Sequence, residues 1–188
     1  MKKILIMASA IATTVIAHAA SVQWSASNIF QPGSTADKIA ANGGLVYYFC
    51  TQETALADVA AALANTETTL DAKVDFLNSG SMDHAALDVA GKIAHATTWD
   101  KAAGDYTFYA LIFENTSVSE GGKYVLTAVT SSYGWDNTSD AVVSLGNQKT
   151  LTQNAANWST VASSVPEPTS GVLMLLGLAG LALKRKRA

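Results

Sequence analysis

Two apolar runs, Leu45–Cys50 and Tyr106–Phe113, constrain the fold more than any other feature of the sequence. Both are rich in aromatic and β-branched residues, and the second is largely apolar on both of its alternating faces. A strand of this kind has to be covered on both sides, as in the centre of a sandwich. Tyr106–Phe113 and Lys123–Ser131 are joined through a segment that contains Gly121 and Gly122, which predicts a β-hairpin. We therefore expect a mainly β fold: one β-rich, sandwich-like domain with one packed helix.

Weaker patterns predict the other elements of this domain, which we place at residues 20–153. Further strands are expected at Ser21–Ile29 (an edge strand), Leu70–Phe76, Leu87–Ile93, Ala141–Leu145 and Thr150–Thr152. A helix from Asp83 to Ile93 competes with the third of these strands. Asn78–Asp83 is expected to be a loop, and Asn154–Ser164, which is rich in small polar residues, is expected to be a linker.

The single helix is expected directly after the first apolar run. Apolar residues recur at helical spacing between residues 56 and 63. Thr51 is a suitable cap for a helix that starts near Gln52, and the apolar pattern ends near Asn65.

The last 24 residues have an organisation of their own. Each proline in Val165–Pro168 fixes φ and biases the residue before it toward an extended conformation, so this segment is expected to be extended and exposed. Ser170–Leu183 is an uncharged run of 14 residues. As a hydrophobic helix it would extend about 21 Å, which is short of a hydrocarbon core of roughly 30 Å. Lys184–Arg187 follows as a cationic end that favours the cytoplasmic side. A tail anchor is the alternative, but it gives the prolines no role.

This order of elements resembles a PEP-CTERM sorting signal, which is found on exported proteins of Gram-negative-type bacteria. The resemblance covers 24 of the 188 residues. The positions that carry it are Val165, Pro166, Glu167, Pro168, Lys184, Arg185, Lys186 and Arg187. It implies that an exosortase, a membrane-embedded cysteine transpeptidase-like enzyme, recognises and removes the tail. It also implies sorting to the cell surface or the surrounding exopolysaccharide, and it implies no activity for the body.

The first 19 residues have the organisation of a secretory signal peptide. Lys2 and Lys3 form a positive n-region, and Ile4–Ala17 forms an apolar h-region that is expected to be helical. The residues that mark cleavage by signal peptidase are Ala17, Ala19 and Ala20, with Ala20 as the new N-terminus. Cations at both ends of the precursor favour the cytoplasmic side of the inner membrane. The body is therefore expected across that membrane, which is a transient partner.

The body between these two ends is acidic. Between Ala20 and Pro166 there are six lysines, no arginine and 14 acidic residues, which gives a formal net charge of −8. Nucleic-acid binding needs clustered cations that neutralise phosphates, so we expect no nucleic-acid partner. Cys50 is the only cysteine, which excludes an intrachain disulfide and a thiolate metal cluster. Its apolar neighbours predict a buried thiol.

Candidate catalytic and metal-binding residues in the body are sparse. Ser81 and His84 fall in one predicted loop, but the G-x-S-x-G motif is missing and closeness in sequence is not a catalytic triad. His84 and His95 lack the spacing of a metalloprotease motif. Asp136–Asp140 faintly resembles a calcium-binding loop, although Ala141 stands where such a loop needs glycine. An Asx-type turn is the alternative.

Three tryptophans, Trp99, Trp135 and Trp158, can stack on sugar rings if they are exposed, and the alternative is a place in the core. The sequence thus favours an exported protein with no enzymatic activity and no catalytic residue, cofactor or metal. A glycan-binding surface module is the second hypothesis, and a hydrolase that uses Ser81 and His84 is the third.

Overall fold

The structure of the chain is a computed structural model that describes residues 20–165. The predicted signal helix and the predicted hydrophobic helix at 170–183 lie outside the described residues. The strands are β1 (Ser21–Ser27), β2 (Leu45–Cys50), β3 (Asp83–Ala86), β4 (Lys92–Thr98), β5 (Gly104–Tyr106), β6 (Phe108–Phe113), β7 (Lys123–Leu126), β8 (Tyr133–Trp135), β9 (Ala141–Asn147) and β10 (Ser159–Thr160). The helices are α1 (Leu56–Ala64), α2 (Leu70–Gly80) and α3 (Lys149–Gln153), with a 3-10 turn at Ala155–Asn157.

The strands form two main sheets and a small ribbon. The five-stranded sheet has the order β10-β7-β6-β2-β3 and is antiparallel throughout. The three-stranded sheet has the order β4-β1-β9, in which β1 is antiparallel to β4 and parallel to β9. β5 and β8 form the ribbon. The mainly β prediction is confirmed.

Two cores lie on opposite faces of the five-stranded sheet. The first core, between the two main sheets, contains Trp24 of β1 and Phe108 of β6. The second core, between the five-stranded sheet and the helices, contains Tyr109 of β6 with Leu63 of α1 and Leu77 of α2. The domain therefore has three layers: the three-stranded sheet, the five-stranded sheet and the helices. This arrangement buries every side chain of β6, as its two apolar faces predict.

Leu45–Cys50 forms β2 as the sequence predicts. The predicted strand at Tyr106–Phe113 is divided between the end of β5 and β6, and the predicted strand at Lys123–Ser131 ends at Leu126. β6 and β7 make the hairpin, with Leu111 opposite Leu126 and Ile112 opposite Val125. β2 lies between β6 and β3 and is buried on both faces. The predicted strand at Ala141–Leu145 is confirmed within β9.

The helical layer contains two longer helices rather than the one that was expected. α1 begins at Leu56 and not near Gln52, although it ends at Ala64 as predicted. The Thr51 hydroxyl does not cap it, since that hydroxyl contacts the Thr107 carbonyl at the end of the neighbouring strand (3.3 Å). A turn after β2 therefore separates the strand from the helix.

The prediction of a strand at Leu70–Phe76 is wrong, because this segment is the first part of α2. The Thr69 hydroxyl accepts a hydrogen bond from the N–H of Ala72 (3.3 Å) and so caps the helix. Lys73 and Leu77, which are four positions apart, are the buried residues of its inner face. α2 continues to Gly80, so the loop predicted at residues 78–83 is reduced to two residues before β3.

Three smaller predictions are also wrong. β1 is the central strand of its sheet and not an edge strand, because β4 and β9 pair with it on either side. Leu87–Ile93 is neither a strand nor a helix but mostly a turn, in which Gly91 has a φ of +68°. A Cβ at Gly91 would lie 2.8 Å from the Ile29 carbonyl oxygen, so this turn requires glycine. Thr150–Thr152 lies within α3.

The segment predicted as a linker, Asn154–Ser164, is part of the fold. It contains the 3-10 turn and β10, which pairs antiparallel with β7. Trp158 is buried in the first core and Val161 in the second. The linker prediction is wrong because two apolar anchors stand among the small polar residues.

Candidate functional site

The chain approaches the predicted sorting signal along the helical face of the five-stranded sheet. Residues 159–165, which we call the C-terminal strap, are bound to the domain at several points. After β10 the strap buries Val161 completely in the second core. The N–H of Val161 donates to the Gly122 carbonyl and its carbonyl accepts from the N–H of Gly121, both at 2.9 Å. Val161 is therefore the apolar anchor of the strap.

Beyond Val161 the strap is bound by the helical layer. The N–H of Ala162 donates to the Leu63 carbonyl (2.9 Å), and the N–H of Val165 donates to the Thr66 carbonyl (3.0 Å). Leu63 lies in the last turn of α1, where carbonyls lack partners within the helix, so the strap satisfies one of them. The carbonyl of Ala162 accepts a hydrogen bond from Nζ of Lys73. The strap thus connects the end of α1 to α2.

Two charged side chains secure the strap. Lys73 is fully buried in α2, with its ammonium group on the Ala162 carbonyl. Glu120, in the loop between β6 and β7, accepts hydrogen bonds from the N–H of Ser164 (2.9 Å) and from its hydroxyl (2.8 Å). These two hydrogen bonds, aided by the charge of Lys73, hold the pKa of Glu120 below its ordinary value. A carboxylate at this position therefore favours an ordered Ser164.

Sequence reasoning missed both of these residues. The sequence pattern places Lys73 in the strand predicted at Leu70–Phe76, and Glu120 lies in the segment that joins the two strands of the predicted hairpin. The sequence does contain one indication of the position of Lys73. The segment also fits a helix, and in a helix Lys73 lies on the same face as Leu70 and Leu77. No local signal in the sequence identifies Glu120, because its partner Ser164 is 44 positions away.

Val165 is the last described residue, and most of the predicted sorting and cleavage residues lie outside the described part of the chain. Those outside the described residues are Pro166, Glu167, Pro168, Lys184, Arg185, Lys186, Arg187, Ala17 and Ala19. Ala20 lies in the first core and is 2% exposed, and its carbonyl accepts a hydrogen bond from the N–H of Trp99 (3.1 Å). The residue expected to follow signal cleavage is therefore packed within the folded domain.

Asp83 and His95 connect the edges of the two main sheets. The Oδ2 atom of Asp83 in β3 lies 3.0 Å from Nε2 of His95 in β4, and Oδ1 accepts from the N–H of His84 (2.7 Å). Burial acts to raise the pKa of Asp83, but the hydrogen bonds from His95 and His84 outweigh it and leave that pKa below its ordinary value. About a third of each side chain of the pair is exposed. The pair closes one side of the sandwich.

Ser81 and His84, the nucleophile and base of the hydrolase hypothesis, make separate contacts. Ser81 is the C-cap of α2, and its N–H donates to the Leu77 carbonyl (2.9 Å). The His84 ring stacks on Tyr47, with the ring centroids 4.8 Å apart. No hydrogen bond joins Ser81 to His84 in the described part of the chain. Ser81 ends a helix, and His84 packs against an aromatic ring.

Tyr48 and Trp24 bring polar atoms into the first core. Their rings stack with centroids 4.7 Å apart. Neither the Tyr48 hydroxyl nor the Trp24 Nε1 has a hydrogen-bond partner among residues 20–165. Burial, and then the charges of Asp88 and Asp83, raise the pKa of Tyr48, so its hydroxyl is neutral at physiological pH.

The three tryptophans considered as sugar platforms are not exposed. The exposed fractions of Trp99, Trp135 and Trp158 are 6%, 3% and 8%. The indole N–H of Trp135 donates to the Lys101 carbonyl (2.9 Å), and that of Trp158 donates to the Thr152 carbonyl (2.7 Å). All three tryptophans are therefore core residues, which is the alternative to sugar stacking that the sequence leaves open.

The calcium-like loop is an Asx-type turn. Oδ1 of Asp136 accepts hydrogen bonds from the N–H groups of Thr138 and Ser139, both at 2.9 Å, and Oδ2 accepts from the Ser139 hydroxyl (3.0 Å). These bonds hold the pKa of Asp136 below its ordinary value. Within residues 20–165, no group of three or more acidic, histidine or cysteine side chains is arranged to hold a metal ion. The thiol of Cys50 is fully buried as predicted, and burial raises its pKa.

A groove on the surface of the described domain lies near the end of the three-stranded sheet. Its volume is about 560 Å³, and small or polar residues such as Ser25, Lys92 and Ser144 line it. None of the helices formed by residues 20–165 has the length and apolarity that a membrane crossing requires.

Comparison with known families gives one match. Residues 164–187 match the family model of the PEP-CTERM protein-sorting motif. No curated protein and no solved structure matches the chain. The chain thus carries this motif at its C-terminal end, and the motif implies an exported protein that an exosortase processes. The matched region begins at Ser164, so its first two residues belong to the C-terminal strap.

Proposed function

We propose that this chain is an exported protein without catalytic activity, which is left at the cell surface or in the surrounding exopolysaccharide after both ends have been processed. The observation that carries the proposal is the match of residues 164–187 to the sorting motif. Signal peptidase removes residues 1–19, and an exosortase-like enzyme acts on the tail. The inner membrane is a transient partner of the precursor.

The charge of the body supports a role outside the cell. With the two ends removed, residues 20–166 carry a formal net charge of −8 and no arginine. Such a charge favours solubility and disfavours binding to nucleic acid or to anionic lipid. The acidic domain therefore leaves the membrane surface once its tail has been processed.

A non-catalytic role is supported by how the candidate residues are used. His84 stacks on Tyr47, and Asp83 binds His95 across the two sheets. Each of these side chains has a structural contact that accounts for its position. A glycan-binding role loses its motivating observation, because the tryptophans that suggested it are in the core.

Fractionation of host cells tests this proposal. The wild-type chain is expected in the surface or matrix fraction. A variant with Pro166→Ala, Glu167→Ala and Pro168→Ala is expected to stay with the inner membrane, because the processing enzyme no longer recognises it. Thr169→Ala with Ser170→Ala is the matched control and should be sorted like the wild type. A triple variant that reaches the surface normally, or a wild-type chain found only in the cytoplasm, would contradict the proposal.

A further inference from the structure

The sorting motif starts while the chain is still attached to the folded domain. Ser164 and Val165, the first two residues of the matched region, form hydrogen bonds to Glu120 and to the Thr66 carbonyl. Val165, the last residue bound to the domain, therefore directly precedes Pro166. The domain and the motif have to be presented to the processing enzyme together.

The chain between the strap and the apolar segment is short, so the enzyme has to act close to the domain. Four residues lie between Val165 and Ser170, where the apolar segment begins, so the two are joined by five peptide links. Fully extended, they span at most roughly 18 Å. An enzyme in the membrane that grips the Val165–Pro168 segment must therefore work directly beside the folded domain. A peptide in a processing cleft needs its own main chain free on both sides of the reacting bond, and Ser164 and Val165 are not free.

We propose that the C-terminal strap controls processing, because the enzyme acts on the Val165–Pro168 segment only after residues 162–165 have detached from the helical layer. This inference rests on the proposed function, in which an exosortase-like enzyme processes the tail. It adds a regulatory element to that function. The rate of processing follows the fraction of molecules in which the strap is open.

The strap divides into an anchor and a part that can open locally. Val161 is fully buried, whereas Ser163 and Val165 are exposed and Ala162 and Ser164 are half-buried. Residues 162–165 are bound by a few hydrogen bonds. Those of Ser164 and Val165 lie at the surface, where contacts belong to the low end of local stability, and that of the Ala162 carbonyl reaches the buried Lys73. Opening also brings water to the ammonium group of Lys73, which regains hydration that burial had removed. The strap can thus detach beyond Val161 without unfolding the domain.

Glu120→Ala provides the direct test. It removes the acceptor of both hydrogen bonds from Ser164, and Glu120 is exposed, so the domain should still fold. Glu67→Ala is the matched control, since it removes another exposed acidic side chain from the loop between α1 and α2. A third variant carries the insertion Gly-Ser-Gly-Ser-Gly-Val between Val165 and Pro166, which keeps the sequence V-P-E-P but moves it away from the strap.

Two rates are measured on the full chain. Hydrogen exchange of the Ser164 and Val165 amides reports strap opening without any enzyme, and pulse-chase analysis in the host reports removal of the tail. Glu120→Ala should raise both rates by the same factor, about five- to hundredfold, which is the effect of losing two hydrogen bonds of ordinary net strength. The factors agree because processing follows the open population when opening is fast relative to cleavage. Glu67→Ala should change neither rate, and the insertion should speed processing and make it independent of Glu120.

The results that overturn the inference are distinct from those that overturn the proposed function. Faster exchange with unchanged processing in Glu120→Ala would show that the strap does not control access, while the proposed function stands. Unchanged exchange would show that Glu120 does not hold the strap, and it would also overturn the inference. A tail that is never removed from the wild type or from the insertion variant would overturn the proposed function and this inference with it.

Discussion

Val161→Ala is expected to weaken the attachment of the C-terminal strap strongly. The Val161 side chain is fully buried in the second core, beside Leu63 and Leu77. Truncation to alanine removes two methyl groups, at about 0.8 kcal/mol each for the lost transfer free energy. The cavity that remains adds a further cost, so the total loss is about 2–3 kcal/mol.

Urea denaturation of the full-length chain measures the global part of this loss, and hydrogen exchange of the Val161 and Ala162 amides measures the local part. Val129→Ala is the matched control, because it makes the same truncation at a residue outside the regular strands that is 45% exposed. The control should change the free energy of unfolding by no more than about 0.5 kcal/mol. If Val161→Ala behaves like Val129→Ala in both measurements, the strap is not anchored by Val161 and the reasoning is refuted.

Two further variants test the first core and the seam between the sheets. Tyr48→Phe removes a buried hydroxyl that has no partner among residues 20–165, so it should leave the free energy of unfolding unchanged or raise it by up to about 1 kcal/mol. A loss of more than about 1 kcal/mol in urea denaturation would contradict this. Asp83 has a lowered pKa in the folded state, so its contribution to stability is complete above the unfolded pKa of about 3.9 and disappears as the pH falls through the folded value. In Asp83→Asn, the free energy of unfolding should therefore fall less steeply as the pH is lowered into the acid range. A fall as steep as that of the wild type would show that Asp83 does not contribute to this pH dependence.

The parts of the fold that the sequence predicts are those decided by local patterns. β2 and the hairpin of β6 and β7 are recognisable because continuous apolar runs leave few alternatives to a doubly covered strand. The segment Leu70–Phe76 is different, because its apolar residues fit a period of two and a helical face equally well. The choice between them is made by the Thr69 cap and by the contact of Lys73 with Ala162, which is 89 positions away.

In the candidate site too, features formed by consecutive residues are predictable from the sequence, whereas contacts between distant residues are not. The sorting motif is readable because its order is contained within 24 consecutive residues. Its attachment to the domain depends on Glu120 and Lys73, whose partners in the strap are remote in sequence. The small polar composition of residues 154–164 is typical of a linker, and only the packing of Trp158 and Val161 identifies it as part of the domain. The sequence leaves the exposure of the three tryptophans open for a related reason, since their carbonyl partners and ring contacts come from other elements.

The intact mass of the protein recovered from the surface fraction of its host tests the central claim most directly. Export with processing at both ends predicts one main species that begins at Ala20 and ends near residues 166–168. A surface species that keeps residues 169–188, or a full-length chain confined to the cytoplasm, would contradict the account.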